Sequence, residues 1–238
     1  MEFYQSIHRY YDQIFPLNMQ QIDFTQNEVS ARSAILDVGC GTGSLAIALA
    51  DKGYRVWAVD FDAGMIETAR TKKNDAYPIF QQVNMLTIAK EFDEGQFDAV
   101  VCYGNTLVHL TENEQVEEFF DSGYHLLKPG GKLLFQVLNY EMILRQKPQN
   151  LPLIANDVIR FERQYGYPEN GLIDFETILT VKSTGEQLHN IVSLNPLTKE
   201  QLEAMLQKSS FQNLRFFGNF QFDALLEMSL PMVCVAER

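Results

Sequence analysis

The chain has 238 residues, 46% of them hydrophobic and 12% aromatic, which at about 150 residues per domain supports one compact domain with a substantial insertion and no need of a stabilising metal or disulfide. A formal net charge of −12 repels a phosphate backbone and an anionic bilayer, so nucleic acid and membranes are excluded as expected partners. Cys40, Cys102 and Cys234 are odd in number and show no Cys-x-x-Cys spacing; with no leader-like start and no bilayer-length apolar run, the expectation is a metal-free, cytoplasmic protein with free thiols.

Phe3, Ile7, Tyr10, Tyr11 and Ile14 recur at helical spacing before Pro16 interrupts them, and a second polar-apolar stretch follows. Residues 1–32 are therefore predicted as one or two leading helices forming a lid. From Ala34 short apolar runs alternate with helical segments: Ile35–Val38, Tyr54–Val59, Ile79–Val83, Ala99–Tyr103 and Lys132–Leu138 against 44–52, 62–74 and 112–127. Runs of this kind suit strands buried on both faces. Thr111-x-x-Glu114 predicts a capping box for the third helix, and Lys128-Pro129-Gly130-Gly131 a stop and turn before the fifth strand.

Beyond Tyr140 the pattern changes. Residues 140–156 read as irregular, and Val158–Tyr165, Leu172–Val181 and Gln187–Leu194 alternate with period two, an antiparallel meander. Thr198-x-x-Gln201 opens another helix, and Leu214–Phe217 with Pro231–Ala236 close as a hairpin. The predicted fold class is α/β: a doubly wound, mostly parallel seven-stranded sheet, Rossmann-like, with an antiparallel β cap inserted after the fifth strand. Residues 33–139 and 196–238 would form the cofactor-binding domain, and 140–195 the substrate cap.

The most informative stretch is Ile35-Leu36-Asp37-Val38-Gly39-Cys40-Gly41-Thr42-Gly43-Ser44, where a strand runs through a glycine turn into a helix. Alternate glycines let backbone approach a ligand closely at the carboxyl end of a strand. A dinucleotide fingerprint would need its third glycine at Ser44, whereas it stands at Gly43. Asp37 beside the loop would repel a pyrophosphate and attract an ammonium or sulfonium. Asp60, ending the second strand, stands where a carboxylate accepts from ribose hydroxyls. A cationic nucleoside without phosphates satisfies all three observations; a nicotinamide-dependent oxidoreductase is the poorer alternative.

Asp37-Val38-Gly39-Cys40-Gly41-Thr42-Gly43 resembles the first motif of class I S-adenosylmethionine-dependent methyltransferases. The resemblance continues through Val59-Asp60-Phe61-Asp62-Ala63-Gly64-Met65, Phe97-Asp98-Ala99-Val100-Val101-Cys102 and Leu127-Lys128-Pro129-Gly130-Gly131, and Gly104-Asn105-Thr106-Leu107-Val108-His109-Leu110 looks like the small-molecule branch. It implies S-adenosyl-L-methionine as cofactor and a small-molecule methyl acceptor as partner. It further implies that Gly39, Cys40, Gly41 and Gly43 run under the methionine part, with Asp37 orienting its ammonium. Asp60 would hold the ribose, Phe61 would pack on the adenine, and Asn84 followed by Met85 would stand where the family usually places an acid against the adenine amino group. Backbone near Cys102 and Tyr103 would meet the ammonium, and Tyr11 of the lid would touch the cofactor.

Methyl transfer needs placement above all, with a proton acceptor if the nucleophile is an amine or hydroxyl. His109 is the best-placed candidate for that catalytic role, with Asn105 bordering the methyl; a packing histidine is the alternative at 109. Arg145, Lys147, Arg160 and Arg163 leave two readings, fork-like pairing with an anionic substrate or solvated strand faces paired with Glu162, Asp174 or Glu176. Tyr140, Tyr165 and Tyr167 line either an acceptor pocket or the core. A non-catalytic module binding the same nucleoside is the remaining alternative, and the chain is expected as a monomer or homodimer.

Overall fold

The computed structural model describes residues 7–73 and 75–238, so Phe3 and Tyr4 of the predicted leading helix lie outside the described residues. A single 3-10 turn at His8–Tyr10 leads into α1 (Tyr11–Ile14), and α2 (Met19–Glu28) follows, its first turn capped by Asn18. There follow in chain order β1 (Ala34–Val38), α3 (Ser44–Asp51), β2 (Arg55–Asp60), α4 (Ala63–Lys72), β3 (Ile79–Gln82), β4 (Phe97–Cys102), α5 (Asn113–Leu126) and β5 (Leu127–Leu138). After α6 (Tyr140–Gln146) come β6 (Ile154–Ala155), β7 (Ile159–Gly166), β8 (Ile173–Val181) and β9 (Gln187–Leu194), and the chain ends with α7 (Lys199–Lys208), β10 (Gln212–Phe217) and β11 (Pro231–Glu237).

The expected doubly wound sheet is present, with seven strands in the order β10-β11-β5-β4-β1-β2-β3. β1 pairs in parallel with both β2 and β4, and β4 with β5, while β11 runs antiparallel between β5 and β10. All five residues of β1 are buried, as a strand covered on both faces requires. On one face Leu36, Val100 and Phe135 pack with Phe119 and Phe120 of α5 and Leu202 of α7. On the other, Ile35, Val101 and Leu134 pack with Phe24 of α2, Leu49 of α3 and Ile66 of α4.

The predicted meander is a second, four-stranded antiparallel sheet in the order β6-β7-β8-β9. A third apolar cluster joins Ile7 and Ile14 of the leading segment to Ile159, Phe161 and Leu179 of this sheet, and Asn156 Nδ2 donates to the Gln13 carbonyl at 3.1 Å. Burying each such aliphatic side chain is worth about 1.5–3 kcal/mol. Lid and cap therefore close on each other above the main sheet.

Three local expectations need correction. The N-cap of α5 is Glu112, whose capping box is completed by Gln115, one residue beyond the predicted Thr111. Lys128–Gly131 is no turn between helix and strand: Leu127 already pairs with Phe97 and Lys132 with Ala99, so the four residues bulge out within β5. Residues 140–146 are helical, opened by Asn139, whose side chain accepts from Met142 N.

Candidate active site

Strand order reverses between β1 and β4, the topological switch point where the carboxyl ends of an open sheet leave a crevice. The turn after β1 is pinned by Gly39 N and Cys40 N, both donating to the Val59 carbonyl of β2 at 2.8 and 3.0 Å. This brings Asp60 under the loop: its Oδ2 accepts from Gly41 N at 2.8 Å and its Oδ1 from Asp62 N at 2.9 Å. Burial pushes the Asp60 carboxyl above its ordinary pKa, with the two backbone donors opposing. Asp37, at the end of β1, is 3% exposed, and its Oδ2 has no hydrogen-bond partner. Burial, then the neighbouring Asp60 charge, pushes Asp37 up to about 7.

Two adjoining cavities open here. The larger, about 460 Å³, is lined by Asp37, Gly39, Cys40, Tyr103, Asn105 and His109 together with inner residues of the cap. The smaller, about 280 Å³, is lined by Gly41, Asp60, Phe61, Asn84, Met85 and further apolar side chains. Tyr11, Gly39 and His109 border both. One elongated ligand with a polar, charged end and a flat apolar end matches this pair.

Most predicted site residues thus line these two cavities, while a few lie outside them or are engaged by other parts of the chain. Gly43 and Cys102 line neither cavity. A Cβ at Gly43 would stand 2.6 Å from the Phe80 ring, so that glycine serves the approach of α3 to the sheet, and Cys102 is fully buried in the core beneath the site. Tyr103 lines the larger cavity, and its hydroxyl lies 3.1 Å from Thr25 Oγ1 of α2. Asn84 Oδ1 caps the following 3-10 turn by accepting from Leu86 N, so one of its two acceptor sites is taken. Cys40 borders the larger cavity, and burial, then Asp37, raises its thiol well above the ordinary value; it is no thiolate nucleophile.

Asn105, expected to border the methyl group, lines the larger cavity with its amide already engaged within the chain. It sits in left-handed backbone at φ +63°, Oδ1 accepting from Leu138 N at 2.9 Å and Nδ2 donating to Tyr140 Oη at 3.0 Å. Both ends of its amide hold the chain, and Tyr140 is in turn hydrogen-bonded to Tyr165 of the cap. His109 ends a 3-10 turn, and burial lowers it to about 4, so it is neutral at pH 7. Of the basic residues, Arg160 pairs with Glu162 at 2.8 Å and Arg145 with Glu227, Lys147 lies over the Tyr167 ring at 5.9 Å, and Arg163 lines the larger cavity. His189 pairs with Glu176 at 2.6 Å on the exposed cap face.

Two groups escaped the sequence reading. Gln136 accepts from Gly104 N at 3.0 Å and lines the larger cavity; a lone polar residue within a buried apolar run was its signal. Asp12 of α1 accepts from Thr42 Oγ1 at 2.6 Å and Ser44 Oγ at 3.1 Å and pairs with Lys72 at 2.5 Å. Burial raises its pKa, but the Lys72 and Thr42 hydrogen bonds outweigh this and hold it below the ordinary carboxylate value. Asp12 latches the lid to the glycine loop. Asp12→Ala is expected to weaken lid closure by about 1–2 kcal/mol, read as faster amide exchange over residues 8–14 with exchange in β1 and β4 unchanged; uniform exchange in both proteins would remove the latch.

Residues 35–131 match a family described as a methyltransferase domain. The provisionally named methyltransferase YqeM of Bacillus subtilis (strain 168) is 38% identical over 138 residues, 56% of this chain; the chain spans about half of that relative's length, 55%. The glycine/sarcosine N-methyltransferase of Aphanothece halophytica is 27% identical over 191 residues, covering 79% of this chain and 69% of that one. Among solved structures, an S-adenosylmethionine-dependent methyltransferase from Clostridium acetobutylicum ATCC 824 superposes with a TM-score of 0.81 at 17% identity, over 98% of both chains. No helix of the described residues is long and apolar enough to cross a membrane.

Proposed function

We propose that the chain, which matches a methyltransferase-domain family over residues 35–131 and shares the fold of an S-adenosylmethionine-dependent methyltransferase, transfers the methyl group of that cofactor to a small-molecule acceptor enclosed between lid and cap. The observation that carries this reading is the buried Asp37 Oδ2 without a partner, beside a glycine turn at the switch point. An orphaned buried carboxylate oxygen is costly until a cation meets it, and the cofactor's ammonium is such a cation. When bound, the cofactor supplies a methyl group activated by positive sulfur, which departs as a neutral thioether on in-line attack.

The chain's own part is binding, alignment and exclusion of water. Asp60 already accepts one backbone hydrogen bond on each oxygen and keeps a lone pair on each for ribose hydroxyls. Phe61, Met65 and Met85 offer an apolar bed for the adenine. Asn105 fixes the end of β5 and, through Tyr140, the seat of the cap. His109, where the two cavities meet, orients a polar hydrogen of the acceptor; lowered to about 4 by burial, it is a weak base at neutral pH, so placement carries more of the rate than proton storage. The volume of about 460 Å³ holds the amino-acid end of the cofactor with a small acceptor and no polymer. Relatives named as glycine/sarcosine N-methyltransferases act on acceptors of that size.

Formation of S-adenosylhomocysteine with a small acceptor tests the activity and separates it from a binding-only module. For the site, Asp60→Ala is expected to weaken binding of S-adenosylmethionine by about 1–3 kcal/mol, measured by calorimetry; equal affinity of the two proteins would take Asp60 out of the site.

A further inference from the structure

The inner face of the cap is apolar except for one row. Along β7 the side chains alternate: Arg160 and Glu162 pair with each other on the outer face, while Phe161 and Tyr165 are buried, so Arg163, between them, is the cation on the inner face. The antiparallel register sets Thr177 of β8 opposite Arg163, and Asn190 of β9 opposite Thr177. The rows on either side are Tyr165–Phe175–Val192 and Phe161–Leu179–Leu188. A single polar row is thus framed by two apolar rows.

Its hydrogen bonding is also incomplete. Arg163 Nε and Thr177 Oγ1 are buried without a hydrogen-bond partner. Arg163 donates from Nη2 to the Pro152 carbonyl at 2.7 Å, no carboxylate among the described residues pairs with it, and it lines the larger cavity beside Tyr165 and Phe175. A partly buried guanidinium without a counter-charge is unfavourable, and removing the deficit takes an anion in reach of its fork. The larger cavity is therefore lined both by the Asp37 carboxyl and by the Arg163 guanidinium.

Building on the methyl-transfer reading above, we propose that the acceptor is a small carboxylic acid whose carboxylate docks on Arg163, so that the cap selects acceptors by charge. The far end of such a molecule, bearing the nucleophilic atom, then faces the methyl group near His109.

The test measures S-adenosylhomocysteine formation by the full chain with small amino and hydroxy carboxylic acids, each paired with its primary amide. Turnover is expected with acids and not with their amides. Arg163→Gln should raise KM for the best acid at least about 30-fold, as loss of a buried charge partner does, with kcat within about threefold. Arg163→Lys, which keeps the charge but not the fork, should recover part of that loss. Equal use of acids and amides, an unchanged KM in Arg163→Gln, or no turnover of any acid by protein that calorimetry shows loaded with S-adenosylmethionine would each overturn the proposal. Failure to bind S-adenosylmethionine would instead remove the methyltransferase reading on which it rests.

Discussion

Affinity for S-adenosylmethionine is expected to rise about tenfold between pH 6 and pH 8, because Asp37 is held at about 7 in the ligand-free protein. Below that value the carboxyl is protonated and must release its proton before it can meet the ligand's ammonium, so each unit of acidification costs about tenfold in affinity; above it the affinity levels off. Calorimetry at pH 6 in two buffers of different ionisation enthalpy should therefore record close to one proton released per ligand. Asp37→Asn removes the charge while keeping the shape, and should weaken binding by about 2–4 kcal/mol and flatten the pH dependence. The same substitution acts oppositely on the empty protein. A carboxyl whose folded pKa is raised contributes stability that is fully present below the unfolded value, near 3.8, and lost as pH rises through about 7. At pH 8 the wild-type protein therefore carries a buried charge that Asn does not, and the variant should melt higher without ligand, by up to about 4 kcal/mol of unfolding free energy. Such an exchange of stability for binding is what a functional carboxylate entails. A pH slope that survives unchanged in Asp37→Asn would move the titrating group elsewhere.

The parts legible in the sequence were those where one physical demand fixes residue type over several positions. Burial on both faces makes β1 and β4 apolar runs interrupted by one aspartate each, and the switch point demands small residues and an acid in fixed order from Asp37 to Gly43. What escaped depends on partners distant in the chain. Asp12 reads as one acid in an aromatic segment until the fold sets it against Thr42, 30 residues away. Arg160 and Arg163 look alike in composition, but alternation puts one against Glu162 in solvent and the other on the cavity; the period-two signal separating them was present and becomes decisive only once the inner face is known. Helix α6 has only seven residues, too short for periodicity to register, and its Asn139 cap follows a strand directly.

Two glycines of the same turn should respond to substitution in different ways. At Gly43, φ is +79°, and an added Cβ would meet Phe80 Cε1 at 2.6 Å and Ala69 Cβ at 3.0 Å. Left-handed backbone costs an L-residue about 1–2 kcal/mol, and overpacking a core about 1–3 kcal/mol. Phe80 and Ala69 are both buried and cannot swing into solvent, so Gly43→Ala is expected to lose about 3–4 kcal/mol of folding stability. At Gly41, φ is +54°, and the Cβ would meet Tyr11 Cε1 at 3.0 Å. Tyr11 belongs to the lid, which can lift away from the main sheet with both cores on that sheet intact. Gly41→Ala should therefore cost the fold only the backbone strain while displacing the ring that borders both cavities, and Gly41→Val, with two further carbons against the same ring, should abolish cofactor binding. Urea unfolding and calorimetry on the alanine variants separate the two roles: the midpoint falls strongly at 43, whereas affinity falls more than the midpoint at 41. If Gly43→Ala unfolds with the wild-type midpoint, or Gly41→Val binds S-adenosylmethionine as the wild type does, then the packing assigned to the first and the lid contact assigned to the second are wrong.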